Sequence, residues 1–312
     1  MPSRKTPAAA VAAIVVVAVP GVLAAQSADS KYDSGTTMFS PKGRLYQVEY
    51  ASEAVNRARP AVGICTDEGI VLCSLKTVYN TRLQAPDQRE KTSRVDAHVV
   101  CASAGLTADA MVLVKDCRAS AQQHALTFQE PIPVQKLASH VADVKQAYTQ
   151  HGGLRPWGVS MLLAGWDESR GLQLYKTEPS GNFGAFKAIA VGAGASRLSA
   201  ELASGYREAG GGRMGLAEAV RLAARVLDGE RRRIQQREAK SRDTSDGLGE
   251  FGGIGMEIAT VAVDAAGEGT ASAYVYDDAG VERVVESLGG GEGEGEGRGE
   301  GSGEGGNKGE EA

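Results

Sequence analysis

Four cysteines are the side chains best suited by type to nucleophilic, redox or metal chemistry: Cys65, Cys73, Cys101 and Cys117. No two form a Cys-x-x-Cys pair, and three sit in apolar runs that read as strands. That pattern reads as buried free thiols and favours a reducing compartment over disulfides or zinc ligation. A second stretch stands out for what it lacks. "YDSGTTMFSPKGRLYQVEYASEAV" (32–55) holds no obvious nucleophile and no cluster of metal ligands. It carries a Pro-Lys-Gly turn, a polar-faced helix and two tyrosines, a composition suited to touching another surface.

The chain has 312 residues and a net charge of −5, which argues against a nucleic-acid-binding surface. That length supplies ample core for one large domain or two small ones. The two ends differ from the middle. Arg4 and Lys5 precede an apolar run ending in small residues near Ala25, the form of a secretory signal peptide. Pro20 and the small side chains make it a poor membrane span. The alternatives for 1–30 are a disordered Ala/Val-rich extension or a start codon placed too far upstream. From Gly289 to Ala312 the chain is Gly/Glu-rich, without apolar residues to bury, and reads as a disordered acidic tail. "SRDTSDGLGEFGGIG" (241–255) reads as a flexible loop inside the main domain, 31–288.

The elements needed to position any site follow from periodicity. "AVGICTDEGIVLCSL" (61–75) is a hairpin signal, and 98–105 a buried strand. Helical spacing joins Met111, Val114, Cys117 and Ala121 within 107–126. It joins Leu137, Val141, Val144 and Tyr148 within 134–150. Strands are expected at 157–167, 171–179 and 186–192, helices at 196–208 and 215–237, and strands at 256–264 and 271–278. Two helix pairs, each covering one face of a stacked pair of antiparallel sheets, would make an α+β four-layer αββα sandwich. Other α+β arrangements share this order.

The 32–54 stretch closely resembles the N-terminal signature of the alpha subunits of the 20S proteasome. "FQEPIP" (128–133), "DVKQAYTQHGGLRPWGVSMLLAGWD" (143–167) and "GLQLYKTEPSGNFGAFKA" (171–188) extend the resemblance, and look like the alpha type-4 class of that family. It runs from residue 32 to roughly 240, and covers the last two strands loosely. The resemblance implies the sandwich of the N-terminal nucleophile hydrolases, and a place in a heteroheptameric alpha ring stacked on beta subunits. It also implies contact with an ATPase regulatory particle or other activators, ubiquitin-dependent protein degradation, and a home in the cytoplasm and nucleus. That home conflicts with the signal-like leader, whose own implication is secretion. No cofactor, metal, nucleic acid or membrane partner is implied.

Catalysis in that fold needs an N-terminal Thr, Ser or Cys whose free α-amine assists proton transfer. Aligned on the beta-subunit pattern, the nucleophile position holds Arg59 and the acidic position holds Leu75, while Lys91 survives. The chain therefore reads as non-catalytic. In alpha subunits the matching lysine meets the C-terminal carboxylate of an activator tail, a charge-assisted contact. Gly105 and Leu106 match the floor of that pocket. From spacing alone, Lys91 reads as a solvated lysine of the charged run 87–94. Ala58 and Arg59 replace a glycine and a small hydroxyl residue, adding bulk at the pocket mouth. For the gate, Tyr32, Asp33, Pro41 and Tyr50 match, and Ser34 replaces an arginine. Pro41 and Gly43 suit a turn. Tyr46, Glu49, Tyr50, Glu53 and Arg57 would share one face of the following helix. Two other readings remain. One is a stand-alone secreted hydrolase of the same fold, using Ser34, Thr36 or Cys65. The other is an orphan alpha-like binding protein.

Overall fold

The structure, a computed structural model, describes residues 35–78, 91–242, 253–263 and 271–289. The expected leader (1–30) and nearly all of the expected acidic tail lie outside them. A turn and helix α1 (Tyr46–Arg57) lead into the hairpin of β1 (Ala61–Cys65) and β2 (Gly69–Val78). Thr66 closes that hairpin: its N–H donates to the Gly69 carbonyl at 2.8 Å. Strands β3 (Thr92–Asp96) and β4 (Val99–Gly105) precede helices α2 (Thr107–Phe128) and α3 (Val134–Gln150). Then come β5 (Val159–Asp167), β6 (Gly171–Thr177), β7 (Phe183–Ala185) and β8 (Ala188–Val191). Helices α4 (Ala195–Glu208) and α5 (Leu216–Arg242), strands β9 (Gly253–Val263) and β10 (Ala271–Val275), and helix α6 (Asp278–Gly289) complete the order.

The strands form two five-stranded sheets, β10-β9-β2-β1-β8 and β3-β4-β5-β6-β7, with every pair antiparallel. Alternation along the strands sorts side chains into three apolar layers. Val71, Cys73 and Leu75 of β2 meet Leu198 and Leu202 of α4 and Ala223 and Leu227 of α5. Ile70 and Leu72 face the other sheet, meeting Val100, Ala102, Leu162 and Ala164. Val99, Cys101 and Leu163 look outward to Leu113 of α2 and Leu137 and Val141 of α3. This is the expected αββα sandwich. Helix α1 plugs one end, with Val55 in the layer between the sheets.

Several expectations need correction. Residues 241–242 end α5 and 253–255 begin β9, so both ends of the expected 241–255 loop are regular structure; 243–252 lie outside the described residues. Strand β3 is short and of mixed polarity and β7 has only three residues, so neither carries a hydrophobic period. Helix α6 was not expected at all, and takes in Gly289 from the expected tail. It opens on an Asp277 cap, whose Oδ1 accepts the Gly280 N–H at 2.8 Å. Val281, Val284, Val285 and Leu288 then pack toward α5 at helical spacing. On α2, Met111 is exposed, and Ala110 and Leu113 turn inward instead.

Lys145 lies on the buried face of α3, one turn beyond Val141, and has no exposure to water. Its Nζ donates to the Val159 carbonyl (2.9 Å), Thr177 Oγ1 (2.8 Å) and the Thr177 carbonyl (3.4 Å), tying α3 to β5 and β6. Burial pushes its pKa down to about 7. Between about 7 and the ordinary value of 10.5 the unfolded chain then binds the extra proton, so stability rises with pH in that window. Relative to Lys145→Met, the wild-type chain should gain about 1 kcal/mol per pH unit between pH 7 and pH 9. Urea unfolding of both proteins at the two pH values checks this; a flat difference would show that the ammonium keeps its charge in the fold.

Candidate functional site

The segment entering α1 is a closed turn. Gly43 N–H donates to the Ser40 carbonyl (2.8 Å), and Ser40 N–H to the Arg44 carbonyl (2.9 Å). Ser40 Oγ, buried, accepts the Arg44 N–H at 3.1 Å. Pro41 presets the second position of the turn, and Gly43 supplies φ +73°. Arg44 then folds onto the helix. Its Nε donates to Glu49 Oε1 at 2.7 Å, and its guanidinium lies 5.2 Å from the Tyr46 ring centre. That guanidinium holds the Glu49 carboxyl below its ordinary pKa. The expected shared face divides: Tyr46 is buried, while Tyr50 is 50% exposed and stacks on it at 6.4 Å. Glu53 and Arg57 pair at 3.0 Å on the surface. Pro41 lies in the turn before α1, and Tyr50 lies in the second turn of the helix. Tyr32, Asp33 and Ser34 lie outside the described residues.

The second group of residues meets where α1 hands over to β1. The β3–β4 register sets Thr92 opposite Ala102, which places Lys91 beside Ser103; the Ser103 N–H donates to the Lys91 carbonyl at 2.9 Å. Gly105 follows two residues along β4, and Leu106 is the extended residue that precedes α2. Gly105 has φ +136°, and a Cβ there would stand 2.1 Å from the Gly158 carbonyl oxygen, so only glycine fits. Leu106 N–H donates to that same carbonyl at 2.9 Å, leaving the side chain half exposed. Lys91 is not the solvated lysine its charged neighbours suggest: it is only 9% exposed. Its Nζ donates to the main-chain carbonyl of Arg59. Its own N–H and that of Thr92 donate to Glu257 Oε2, at 3.3 and 2.8 Å.

Arg59 is held from several sides. Its Nη2 meets Glu238 of α5 at 2.5 Å, and its Nε reaches Thr77 Oγ1 at 3.4 Å. Behind it, Gly192 has φ +95°, and a Cβ there would come within 3.0 Å of Pro60 Cα and of the Ala58 and Arg59 carbonyls. The Ala193 N–H donates to the Ala58 carbonyl at 2.8 Å. The position aligned with a nucleophile is thus a mid-chain arginine locked into structural contacts, with no free amine. Leu75 is fully buried against α4 and α5 and can neither orient nor accept a proton. Cys65 is no substitute: burial pushes its pKa up to about 11. Burial pushes Cys101 up to about 12 and raises Cys73 and Cys117 further, so all four are protonated thiols near neutral pH. No group of three or more metal-binding side chains occurs among the described residues.

Two positioning residues escaped the sequence reading, Asp109 and Arg155. Arg155 belongs to the Gly152-Gly153-Leu154-Arg155-Pro156 block. It grips the buried Asp109 carboxylate with two hydrogen bonds of 2.7 Å, and the Gly158 N–H adds a third at 3.0 Å. These contacts, Arg155 first, hold the Asp109 pKa below its ordinary value. They bolt the start of α2 to the start of β5, and so fix Gly105 and Leu106. The signals were an aspartate in the first turn of a helix and an arginine following two glycines, over 40 residues apart.

The chain belongs to the proteasome subunit family. The family model described as "Proteasome subunit" matches residues 55–236. A second model, the N-terminal signature of A-type proteasome subunits, matches residues 32–54, the turn and most of α1. The chain is 49% identical over 197 residues to proteasome subunit alpha type-4-1 of Oryza sativa subsp. indica, covering 63% of this chain and 77% of that protein. Proteasome subunit alpha type-4-A of Arabidopsis thaliana (48%) and proteasome subunit alpha type-4 of Spinacia oleracea (46%) match with the same shares.

Arg155→Ala would leave the Asp109 carboxylate buried with one remaining donor, and should cost about 1–3 kcal/mol of stability at neutral pH. The native pKa of Asp109 is depressed, so its contribution is present above the ordinary 3.8 and lost as pH falls through the folded value. The gap between wild type and variant, read from urea midpoints, should therefore shrink below pH 4. A gap independent of pH would show that the arginine acts through packing alone.

Proposed function

We infer that this chain is a non-catalytic subunit of the alpha ring of the 20S proteasome core, of the alpha type-4 class. The observation that carries the reading is the join of the alpha-type signature over 32–54 to the proteasome subunit fold over 55–236. Arg59 and Leu75 agree with it, because they occupy the two positions where hydrolysis would need a nucleophile and an acid. In that role the chain sits between neighbouring alpha subunits of a heteroheptameric ring and on beta subunits, and serves ubiquitin-dependent degradation in the cytoplasm and nucleus. No described helix is long and apolar enough to cross a membrane. No specific observation favours the secreted-hydrolase or orphan-binder alternatives.

The test is recovery from cytoplasmic and nuclear extracts. A tagged chain should co-purify with other alpha subunits and with beta subunits, and threonine-directed covalent inhibitors should label the beta subunits but not this chain. Recovery at monomer size, or a stoichiometric adduct on this chain, would overturn the reading.

Within that role the turn and α1 act as gate elements. Pro41 sets the exit angle of the preceding tail, Tyr50 presents an exposed ring behind it, and Tyr32 and Asp33 supply hydrogen bonds to neighbouring subunits. The Lys91, Gly105 and Leu106 group is the activator-tail pocket. An incoming carboxylate must draw the Lys91 ammonium from the Arg59 carbonyl, which makes this pocket a weak tail acceptor. One gate hydrogen bond nets about 0.5–1.5 kcal/mol, a factor of roughly two to ten in gate population. Asp33→Ala or Tyr50→Phe should shift activator-stimulated peptide hydrolysis of the assembled particle by that factor, with beta-subunit labelling unchanged. Normal assembly with unaltered basal and stimulated hydrolysis in both variants would remove these residues from the gate.

A further inference from the structure

A cavity of about 650 Å³ lies at one end of the sandwich, where the β3–β4 turn, the α2–α3 connection and the β5–β6 turn meet the start of β10. Hydrogen bonds tie these walls to one another. The Trp166 N–H donates to the His98 carbonyl at 3.3 Å, and the Ala273 N–H to the Ala97 carbonyl at 2.9 Å. His98 Nε2 donates to the Ile132 carbonyl at 2.9 Å, and the Val134 N–H to Asp167 Oδ2 at 3.2 Å. The cavity is therefore formed before anything enters it. Its volume falls in the range of small-molecule sites, roughly 300–1,000 Å³. Its walls also suit such a site: Trp166, Pro131 and Pro133 supply apolar surface, with a few polar groups among them.

Those polar groups call for a cation. The carboxylates lining the cavity are Glu130, Asp167 and Glu168, and among the described residues no lysine or arginine lines it. Lys136 and Arg170 line the adjoining depression along α3 instead. Asp167 is already spent: it accepts from the Val134 and Arg170 N–H groups, the Ser169 hydroxyl and the Gln173 amide. Glu130 stands 3.7 Å from His124 Nε2, beyond hydrogen-bond range, and Glu168 has no partner among the described residues. A second observation is independent of the carboxylates. His98 lines the cavity and is only 7% exposed. Its Nε2 proton goes to Ile132, so in the neutral ring Nδ1 is a lone pair. No donor reaches it among the described residues; Asp96 Oδ2, 3.9 Å away, is itself an acceptor. A buried acceptor of this kind needs a donor. We propose that this cavity binds a small organic cation, an aromatic or apolar body carrying one amidinium, guanidinium or ammonium group. Glu130 and Glu168 receive the charge, His98 Nδ1 accepts an N–H, and Trp166 is the aromatic wall. The proposal does not rest on the ring assignment.

The test is equilibrium dialysis of the full-length chain against 4-aminobenzamidine, a flat aromatic cation, with its neutral isostere 4-aminobenzamide as the control. One equivalent of the amidine should bind with a dissociation constant of about 1 mM, ordinary for a ligand of about ten heavy atoms. The amide should bind at least about tenfold more weakly. Glu130→Gln/Glu168→Gln should weaken amidine binding about tenfold and narrow its lead over the amide. Ala97→Trp should abolish binding by filling the space while every carboxylate stays in place. All three positions are exposed, so both variants should keep the wild-type urea midpoint. Equal binding of amidine and amide, an unchanged constant in the glutamine variant, or no saturable binding up to about 10 mM would overturn the proposal. So would binding that the free chain shows and the assembled particle lacks, which assigns the cavity to a basic side chain of a neighbouring subunit.

Discussion

Strand β2 shows neither face to water from Gly69 to Lys76. Val71, Cys73 and Leu75 require a helical cover on one side, and Ile70 and Leu72 require a second sheet on the other. An antiparallel sheet with one wet face would leave one of these sets exposed, at about 1.5–3 kcal/mol for each large side chain. The four layers follow from meeting both demands. β2 pairs along its whole length with β9, and with β1 from Ile70 to Ser74. Polar atoms drawn into this middle region must find partners inside it. Ser74 Oγ and Thr92 Oγ1 pair at 2.9 Å, joining the two sheets. Glu257 takes two main-chain N–H groups from the start of β3, with Lys76 4.0 Å away.

The handover from α1 to β1 lies at the edge of the same region and is held by several contacts. The Arg59 carbonyl receives Lys91, the Arg59 guanidinium reaches α5, and Gly192 closes the space behind. Nearby, Asp109 and Arg155 secure the corner where β4 becomes α2. The polar side chains of this end, Arg59, Lys91, Asp109 and Arg155, hold elements together. The turn and the Tyr50 side of α1 lie outside that frame and remain exposed.

Most of the architecture was legible because large apolar strands and helices carry strong periods. The hairpin at 61–75, both helices of each pair and the long strands fell near their observed places. Elements without that signal were missed. β3 is five residues of mixed polarity at a sheet edge, and β7 has three residues. Helix α6 did carry its signal, in Val281, Val284, Val285 and Leu288, but its neighbourhood of Gly and Glu masked the period. The site was less legible than the fold. Arg59 and Leu75 were readable only through the resemblance, which gave their positions, after which residue type alone argued against catalysis. The burial of Lys91 could not, since it depends on a carbonyl 32 positions away brought in by the fold. Asp109 with Arg155, and Lys145 with Thr177, are likewise pairings across elements. Local pattern reports the element a residue belongs to, and only long-range contact reports its partner.

The four thiols have a practical corollary. Three are fully inaccessible, and the fourth, Cys65, is held protonated beside carbonyl oxygens of Thr66 and Leu172. Alkylating probes act on thiolates, so the native chain is a nearly silent background for maleimide and iodoacetamide chemistry at neutral pH. A single cysteine introduced on the surface, for instance at Ser169 in the β5–β6 turn, would be the only fast-reacting sulfur. Dyes, spin labels and cross-linkers could then be placed at one chosen point without first stripping out the natural cysteines, three of which fill space that no smaller side chain would fill as well.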